Sequence, residues 1–275
     1  MNNTVTRTIS GVGFIIIVVA SLLLNKFLFA AFALFIMVCM MHEFYHITMG
    51  DTYKWPKVIA IVGGCTLFIL LFLICAYGIS LRFLAIGMVP MAMLMGYALF
   101  LKDKKDFGLY SHLYTALVYI AAPLALSNFV VLKGGEFSGL LLLSFFIIIW
   151  GSDVGAYVFG ITLGQKYGKK LCPAISPKKS WIGFWGGMIT AVICAVVLNL
   201  VGMLDFPVIH CVILAIIMHV AGVFGDLFES QWKRFYEVKD SGNIIPGHGG
   251  MLDRFDSTLL AMPVGVLYLV LFNLI

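Results

Sequence analysis

Residues 226–256 combine the side chains that phosphate chemistry uses. Asp226, Asp253 and Asp256 are hard oxygen ligands of the kind that Mg²⁺ takes together with substrate phosphates. Asp253 and Asp256 are three residues apart, so a helix that begins near Leu252 would place them on one face. We therefore predict that these three carboxylates hold a metal ion.

Cations and glycines in the same segment fit this chemistry. Gly249 and Gly250 permit a tight turn that brings backbone amides close to a ligand. Asp240 is expected to orient Lys239. The candidates for catalysis and for holding phosphates are Lys233, Arg234, Lys239, Asp240, His248, Gly249, Gly250 and Arg254. With the carboxylates, they indicate metal-assisted phosphoryl or nucleotidyl transfer.

A second polar group precedes this segment in the chain. Asp153 lies inside an apolar run, where a carboxylate is costly and is therefore expected to be functional, paired with a lysine or used as a helix cap. Hydroxyls and lysines then stand just before the next apolar run, where the beginning of a helix favours an anion site; a helix cap with a cytoplasmic anchor is the alternative. The predicted substrate-binding residues here are Ser176, Lys178, Lys179 and Ser180.

The composition predicts a membrane protein with an all-α helical bundle. Of the 275 residues, 62% are hydrophobic and 11% are charged, whereas about a quarter of a soluble domain is charged. Whether the short first span crosses the whole membrane stays open. Gly151-Ser152-Asp153 is a candidate break within the sixth span. The nine predicted spans cover residues 10–24, 27–47, 57–77, 81–101, 112–132, 138–160, 181–203, 207–227 and 257–275.

The placement of Lys and Arg predicts the orientation of these spans. With nine spans, 15 of the 18 Lys and Arg residues fall on the side that carries the N-terminus. Cytoplasmic loops are enriched in these residues, so the N-terminus and the loop that contains 228–256 should be cytoplasmic. We divide the chain into an N-terminal span region, 1–135, and a catalytic region, 136–275, with cytoplasmic loops 161–180 and 228–256.

The segment from Ser230 to Asp256 resembles the signature of the phosphatidate cytidylyltransferases, or CDP-diacylglycerol synthases. It reads Ser230-x-x-Lys233-Arg234-x₄-Lys239-Asp240-x-Gly242-x-x-Ile245-Pro246-x-His248-Gly249-Gly250-Met251-x-Asp253-Arg254-Phe255-Asp256. Upstream, Asp153-x-Gly155-Ala156-Tyr157 and Ser176-Pro177-Lys178-Lys179-Ser180-Trp181 also resemble the family pattern. Ile182 departs from it, because the family commonly has Glu there. The resemblance covers residues 140–275 well.

The resemblance implies the reaction of CTP with phosphatidic acid to give CDP-diacylglycerol and pyrophosphate. It implies Mg²⁺ at the carboxylates and is compatible with a second metal ion, divalent or monovalent. His248 would either donate to pyrophosphate or only shape the turn. We expect an integral protein of a bacterial inner membrane with a cytoplasmic active site. The resemblance suggests a homodimer, and we expect no nucleic-acid partner.

Three alternatives remain open at this point. His42-Glu43-Phe44-Tyr45-His46 is an HExxH pattern, which on a helix could hold Zn²⁺ as in an intramembrane metalloprotease. A transporter would explain Asp153, His210 and His219 in or near apolar segments, but the two halves of the chain show no matching broken segments. Interfacial positions or hydrogen bonds inside the bundle explain the two histidines more simply. A CTP-dependent lipid kinase acting on a polyprenol or phytol is the nearest alternative, and it would release CDP instead of pyrophosphate.

Overall fold

Helices dominate the computed structural model, which describes residues 3–101, 104–247 and 249–275. The α-helices are α1 (Asn3–Leu23), α2 (Lys26–Met49), α3 (Lys54–Tyr77), α4 (Met88–Ala98), α5 (Lys104–Tyr110), α6 (His112–Ala116), α7 (Ala122–Val131), α8 (Leu140–Phe159), α9 (Gln165–Tyr167), α10 (Trp181–Leu200), α11 (Val208–Phe235) and α12 (Leu252–Leu271). A 3₁₀ segment, Leu81–Gly87, leads into α4, and π-helical turns at Leu117–Ala121 and Gly160–Gly164 continue α6 and α8.

Two short antiparallel hairpins are the only strands in the described part of the chain. One pairs β1 (Leu132–Lys133) with β2 (Glu136–Phe137), and the other pairs β3 (Lys170–Cys172) with β4 (Ser176–Ser180). Both hairpins join long helices.

The predicted helical membrane bundle is confirmed. In the described residues, eight helical segments are long and apolar enough to cross a membrane. They are Lys26–Met49, Lys54–Tyr77, Leu81–Ala98, Asp106–Val131, Leu140–Tyr167, Trp181–Leu200, Val208–Phe235 and Leu252–Leu271. The first predicted span corresponds to a shorter apolar helix, Thr8–Leu23. The orientation across the membrane stays a prediction.

The candidate break in the sixth span does not form, and the bounds of the two predicted loops were wrong. Helix α8 runs without interruption through Gly151-Ser152-Asp153. Helix α11 continues to Phe235, so the first residues of the predicted loop 228–256 are helical. The predicted loop 161–180 is helical to Tyr167 and then forms the β3–β4 hairpin. By contrast, α12 begins at Leu252, as the spacing of the two aspartates required.

Local sequence signals set several helix ends. The Asn25 side chain caps α2 by accepting hydrogen bonds from the amides of Phe27 and Leu28 at 3.0 and 2.9 Å. Gly78 ends α3 with a φ of 65°, and its amide donates to Ile74 O. These caps satisfy backbone groups that a helix end leaves without partners.

The chain divides into two compact units, each with its own core. The first unit comprises Met1–Ser138 and Tyr236–Arg254. Its interior is rich in methionine and large apolar side chains, and Met37, Met40 and Phe68 are fully buried. Because 236–254 belongs to this unit, the segment that resembles the family signature packs with helices from the beginning of the chain.

The second unit comprises Gly139–Phe235 and Phe255–Ile275. Its core contains small side chains from α10 and α11, among them Ala191, Ala195 and Ala215, which pack with Ile148 of α8. Glycines bring α8 and α10 close together: a Cβ on Gly151 would lie 2.5 Å from Cys194 Sγ, and one on Gly155 would lie 2.6 Å from Thr190 Cβ. Small residues are the usual means of close helix packing in membranes.

This packing generates a prediction for Gly155→Ala. The added methyl group would overlap Thr190 Cβ and approach Gly186 O at 3.1 Å. We expect a loss of about 1–3 kcal/mol in the free energy of unfolding, the usual cost of overpacking. Thermal unfolding in detergent measures it.

The matched control is Gly96→Ala in α4, where a Cβ would meet no atom within 4 Å. Alanine is favoured over glycine inside a helix, so this variant should be neutral or more stable by up to about 1 kcal/mol. Equal melting temperatures for the two variants would contradict the close approach of α8 and α10.

Candidate active site

The second unit contains a cavity of about 310 Å³. Its wall is mostly apolar, but several charged side chains also line it. Asp153 reaches it from α8, Lys178, Lys179 and Ser180 from β4, and Asp226 from α11. Apolar side chains make up much of the rest of the lining, and they include Tyr157, Ile161, Leu171, Phe184 and Val223. The sequence-predicted residues Asp153, Lys178, Lys179, Ser180 and Asp226 are therefore brought together.

Lys179 and Asp226 form an ion pair at this cavity. Lys179 Nζ donates to Asp226 Oδ2 at 2.5 Å, and about 26% and 31% of the two side chains are exposed. Ser230, one turn along α11, donates to the other oxygen, Oδ1, at 3.3 Å. An ammonium thus occupies the position where a cation at Asp226 would sit, and a charge-assisted bond of this kind is among the stronger polar contacts.

Asp256 lies near this pair in the first turns of α12. Its Oδ1 accepts from the amide of Ser257 at 2.6 Å. Gly225 allows the close approach, because a Cβ there would lie 2.5 Å from the Asp256 backbone carbonyl. Asp153, Asp226 and Asp256 are within electrostatic range of one another.

The donor chemistry at these carboxyl groups fits a hard divalent cation, because their oxygens are hard ligands and one of the groups already holds an ammonium. Over residues 3–101, 104–247 and 249–275, no three His, Cys, Asp or Glu side chains come together closely enough to coordinate an ion. A bound metal would therefore also use oxygens from the substrate, as Mg²⁺ commonly does.

The β3–β4 hairpin positions the lysines. Ser180, buried at the end of β4, caps α10 by accepting from the amide of Gly183 at 3.1 Å. Gln165 fixes the strand from α9, since its side-chain nitrogen donates to Lys178 O at 2.7 Å. Ser176 stands at the far end of β4 and is not among the described residues that line the cavity.

Lys233 and Arg234 lie in the last turn of α11 instead of in a loop. Lys233 pairs with the buried Glu229 one turn earlier at 2.5 Å. Arg234 is exposed. This pair was not predicted from the sequence, although the i,i+4 spacing of Glu229 and Lys233 is typical of ion pairs along a helix.

The first unit holds Lys239, Asp240, Gly249 and Gly250 in a segment, residues 237–251, which we call the signature loop, and it holds Asp253 and Arg254 at the beginning of α12. A polar cleft of about 580 Å³ lies against it. Its lining includes Lys239, Asp240, Asn243, Ile245, Pro246, Gly247, Gly249 and Arg254. Gly247 and Gly249 have φ values of 76° and 84°, which only glycine adopts without strain. His248 lies outside the described residues.

Asp253 organises the signature loop. Its Oδ2 accepts from the amides of Ser241 and Gly250, both at 2.8 Å, and lies 2.9 Å from Ser241 Oγ. The amide of Gly250 is therefore used inside the loop. A metal-binding role for Asp253 remains a prediction beside this structural one.

Among the described residues, no third His, Cys, Asp or Glu side chain lies close enough to complete a zinc site at the HExxH pattern. His42 and His46 are exposed on α2, whereas Glu43 is buried and its carboxylate accepts from residues of the signature loop and the beginning of α12. The sequence did not predict that Glu43 contacts the signature loop. A lone carboxylate in an apolar run was the available signal, as it was for Asp153.

The two histidines that had suggested a transporter are hydrogen-bonded inside the second unit. His219 Nδ1 lies 2.6 Å from Ser152 Oγ, and His210 Nδ1 lies 2.7 Å from Tyr268 Oη. The expectation of hydrogen bonds inside the bundle is confirmed for these two ring nitrogens, while the buried Nε2 of His219 has no hydrogen-bond partner among the described residues.

The described residues thus form a polytopic helical bundle with carboxylates and lysines at a cavity of one unit and a glycine-rich polar loop in the other. The chain matches the model of the cytidylyltransferase family over residues 5–272 and belongs to that family. It is therefore a nucleotidyltransferase.

Curated relatives agree with this membership. The chain is 38% identical over 189 residues to the phosphatidate cytidylyltransferase of Bacillus subtilis, covering 68% of each chain. It is 36% identical over 162 residues to that of Rickettsia bellii, covering 56% of this chain and 68% of the relative. It is 45% identical over 129 residues to that of Haemophilus influenzae, covering 45% and 43%.

The exposed histidines of α2 give a testable prediction. The double variant His42→Ala/His46→Ala should remain folded and keep cytidylyl transfer within about a factor of two, since exposed substitutions cost little. Turnover of CTP by purified protein in detergent measures this. Loss of turnover in a folded double variant would contradict the assignment of α2 and restore a metal role for the pattern.

Proposed function

We propose that this chain transfers the cytidylyl group of CTP to phosphatidic acid, giving CDP-diacylglycerol and pyrophosphate. The observation that carries the proposal is the cavity of the second unit. Its apolar walls suit a lipid, and Lys178 and Lys179 supply the positive charge that a phosphorylated head group requires, with Asp153 and Asp226 in the same lining. The names of the relatives support the same substrates.

The reaction is an in-line displacement at the α-phosphorus of CTP. A phosphatidate oxygen forms the new bond to that phosphorus, and the bond to the β-phosphate oxygen breaks, so pyrophosphate leaves with its electron pair. A phosphate monoester is already anionic near neutral pH, so the attacking oxygen needs no strong base. Catalysis then rests on positioning and on neutralising charge.

The cations of both units hold phosphates in this proposal. Lys178 and Lys179 bind phosphate at the cavity, and Ser180 mainly orders the hairpin that carries them. Lys239 and Arg254, which line the polar cleft, bind the triphosphate, while Asp240 orients Lys239. The remaining proposed contacts are Ser176, Lys233, Arg234, His248, Gly249 and Gly250.

Asp226 and Asp256 are the proposed ligands of Mg²⁺, with Asp253 as a third candidate. The ion, when bound, would neutralise triphosphate charge and favour departure of pyrophosphate. Asp226 must release the Lys179 ammonium to bind it, which frees that lysine for a phosphate. A second ion, divalent or monovalent, is compatible with the number of carboxylates.

The reaction is proposed to occur at the cytoplasmic face of a bacterial inner membrane. The excess of Lys and Arg that the nine predicted spans place on one side of the membrane supports this orientation. Phosphatidic acid would enter sideways from the bilayer, because its two acyl chains leave the membrane only at high cost. A homodimer remains part of the proposal.

The test uses purified full-length protein in detergent with CTP labelled in its α-phosphate, phosphatidic acid and Mg²⁺. The expected product is labelled lipid released together with pyrophosphate. A lipid kinase would instead leave labelled CDP in the aqueous phase when given polyprenol or phytol. Labelled CDP without labelled lipid would overturn the proposal in favour of that alternative.

Asp226→Asn and Asp256→Asn test the metal site. Each removes a negative charge at nearly constant shape, so each should remain folded and lose at least about 10²-fold in turnover. Asp205→Asn, an exposed aspartate in the same unit, is the control and should keep near-normal activity. Near-normal turnover in either site variant would remove that residue from the metal site.

Asp253→Asn should also lose activity without unfolding, but it is the less specific test. Its Oδ2 holds the signature loop through three donors, so an effect there combines two roles.

A further inference from the structure

Glu43 is a buried carboxylate that the proposed chemistry does not use. It lies in the last turns of α2, and only 4% of it is exposed. Its Oε1 accepts from the amide of Met251 at 2.9 Å, and its Oε2 accepts from the amide of Leu252 at 2.8 Å. Ser241 Oγ lies 3.0 Å from Oε2. Both oxygens therefore bind donors from a segment 198 to 209 residues away in sequence.

These contacts fasten both ends of the signature loop at one point. Ser241 lies near the beginning of the loop, and Met251 lies at its end, immediately before α12. The backbone between them carries Asn243, Pro246 and Gly249, which line the polar cleft. The position of that wall of the cleft is thus set by a side chain of α2.

The loop backbone is shaped around the Glu43 carboxylate. A Cβ on Gly242 would lie 2.5 Å from Glu43 Oε1, and one on Gly250 would lie 2.6 Å from Oε2. Neither glycine has a positive φ, so backbone conformation does not explain them. The close approach of the Glu43 carboxylate explains Gly242, and for Gly250 it acts together with Ser241 Oγ, which would lie still closer to a Cβ there.

A second carboxylate joins the same arrangement. The hydroxyl of Ser241 lies 3.0 Å from Glu43 Oε2 and 2.9 Å from Asp253 Oδ2, so its one proton is placed between two acceptors. Among the described residues, the amides of Ser241, Gly250, Met251 and Leu252 all point to one or other of these carboxylates. Glu43 is therefore connected, through Ser241, to a candidate site residue.

We propose that Glu43 is a positioning residue for nucleotide binding: it holds the signature loop in the conformation that presents Lys239 and Arg254 to the triphosphate of CTP. It does not touch the substrate. The inference rests on the proposed function, and it adds a residue of α2 to the machinery of the C-terminal segment.

The alternative is that Glu43 only contributes to general stability. The two roles differ in which kinetic constant changes. A destabilised protein contains fewer active molecules, so kcat falls and both KM values stay constant. A displaced signature loop weakens the site for CTP, so the KM for CTP rises while that for phosphatidic acid, assigned to the other unit, does not.

Glu43→Gln is the primary variant. It keeps the shape of the side chain but replaces one acceptor oxygen with an amide nitrogen that is itself a donor. Because donors approach both oxygens of Glu43, one donor would then face another. We expect the KM for CTP to rise about 10- to 100-fold, the range that small misplacement of binding groups produces, with an unchanged KM for phosphatidic acid.

Two further variants make the test specific. Gly242→Ala does not change the Glu43 residue, but the added methyl group would displace its carboxylate. This variant should therefore reproduce the rise in the KM for CTP. Thr48→Val is the matched control, because Thr48 is a buried polar residue of the same helix that donates within α2, to Phe44 O at 2.8 Å. It should leave both KM values unchanged.

Hydrogen exchange separates this inference from the proposed function. In Glu43→Gln, amides of residues 241–252 should exchange faster, while those of α10 remain as in the wild type. Faster exchange with a wild type that makes no labelled lipid would overturn the proposed function and leave the anchoring of the loop supported. Unchanged exchange, or a fall in kcat with both KM values constant, would overturn the positioning role.

Discussion

A carboxylate inside an apolar bundle is strongly destabilised unless donors or cations surround it, and this requirement shapes both units. Glu43 and Asp253 are satisfied by backbone amides and a hydroxyl, which cannot leave without rearranging the chain. Asp226 is satisfied by the ammonium of Lys179, which a phosphate or a metal can replace. The first kind of contact builds a rigid loop, and the second leaves a carboxylate available for exchange of ligands.

Close packing of helices supplies the frame for these charges. Glycines on α8 and Gly225 on α11 let neighbouring backbones approach, so polar side chains of several helices reach one cavity. The β3–β4 hairpin then carries Lys178 and Lys179 back over the ends of the helices, and Ser180 joins it to α10. A short hairpin suffices because Gln165 fixes its backbone from the preceding helix.

The sequence predicted the apolar spans well because length and hydropathy alone define them. Prediction from the sequence was wrong where the same residue type can serve two different structural roles. Gly151 and its neighbours suggested a helix break, whereas they serve close packing within an intact α8. Charges at the end of α11 suggested a loop, whereas Glu229 and Lys233 form a pair along the helix. The bonds of Glu43 could not be inferred, since its partners lie near the other end of the chain.

The fit between Glu43 and the two glycines has a consequence for how the chain can diverge. A methyl group at Gly242 would press on the acidic side chain of α2, and one at Gly250 would press on Ser241 Oγ as well as on that side chain, so each is accommodated only if these neighbours shift or change. A shorter acid would no longer reach the amides of Met251 and Leu252. Substitutions at positions 43, 242 and 250 should therefore occur together among homologues, although position 43 lies far from the other two in the sequence.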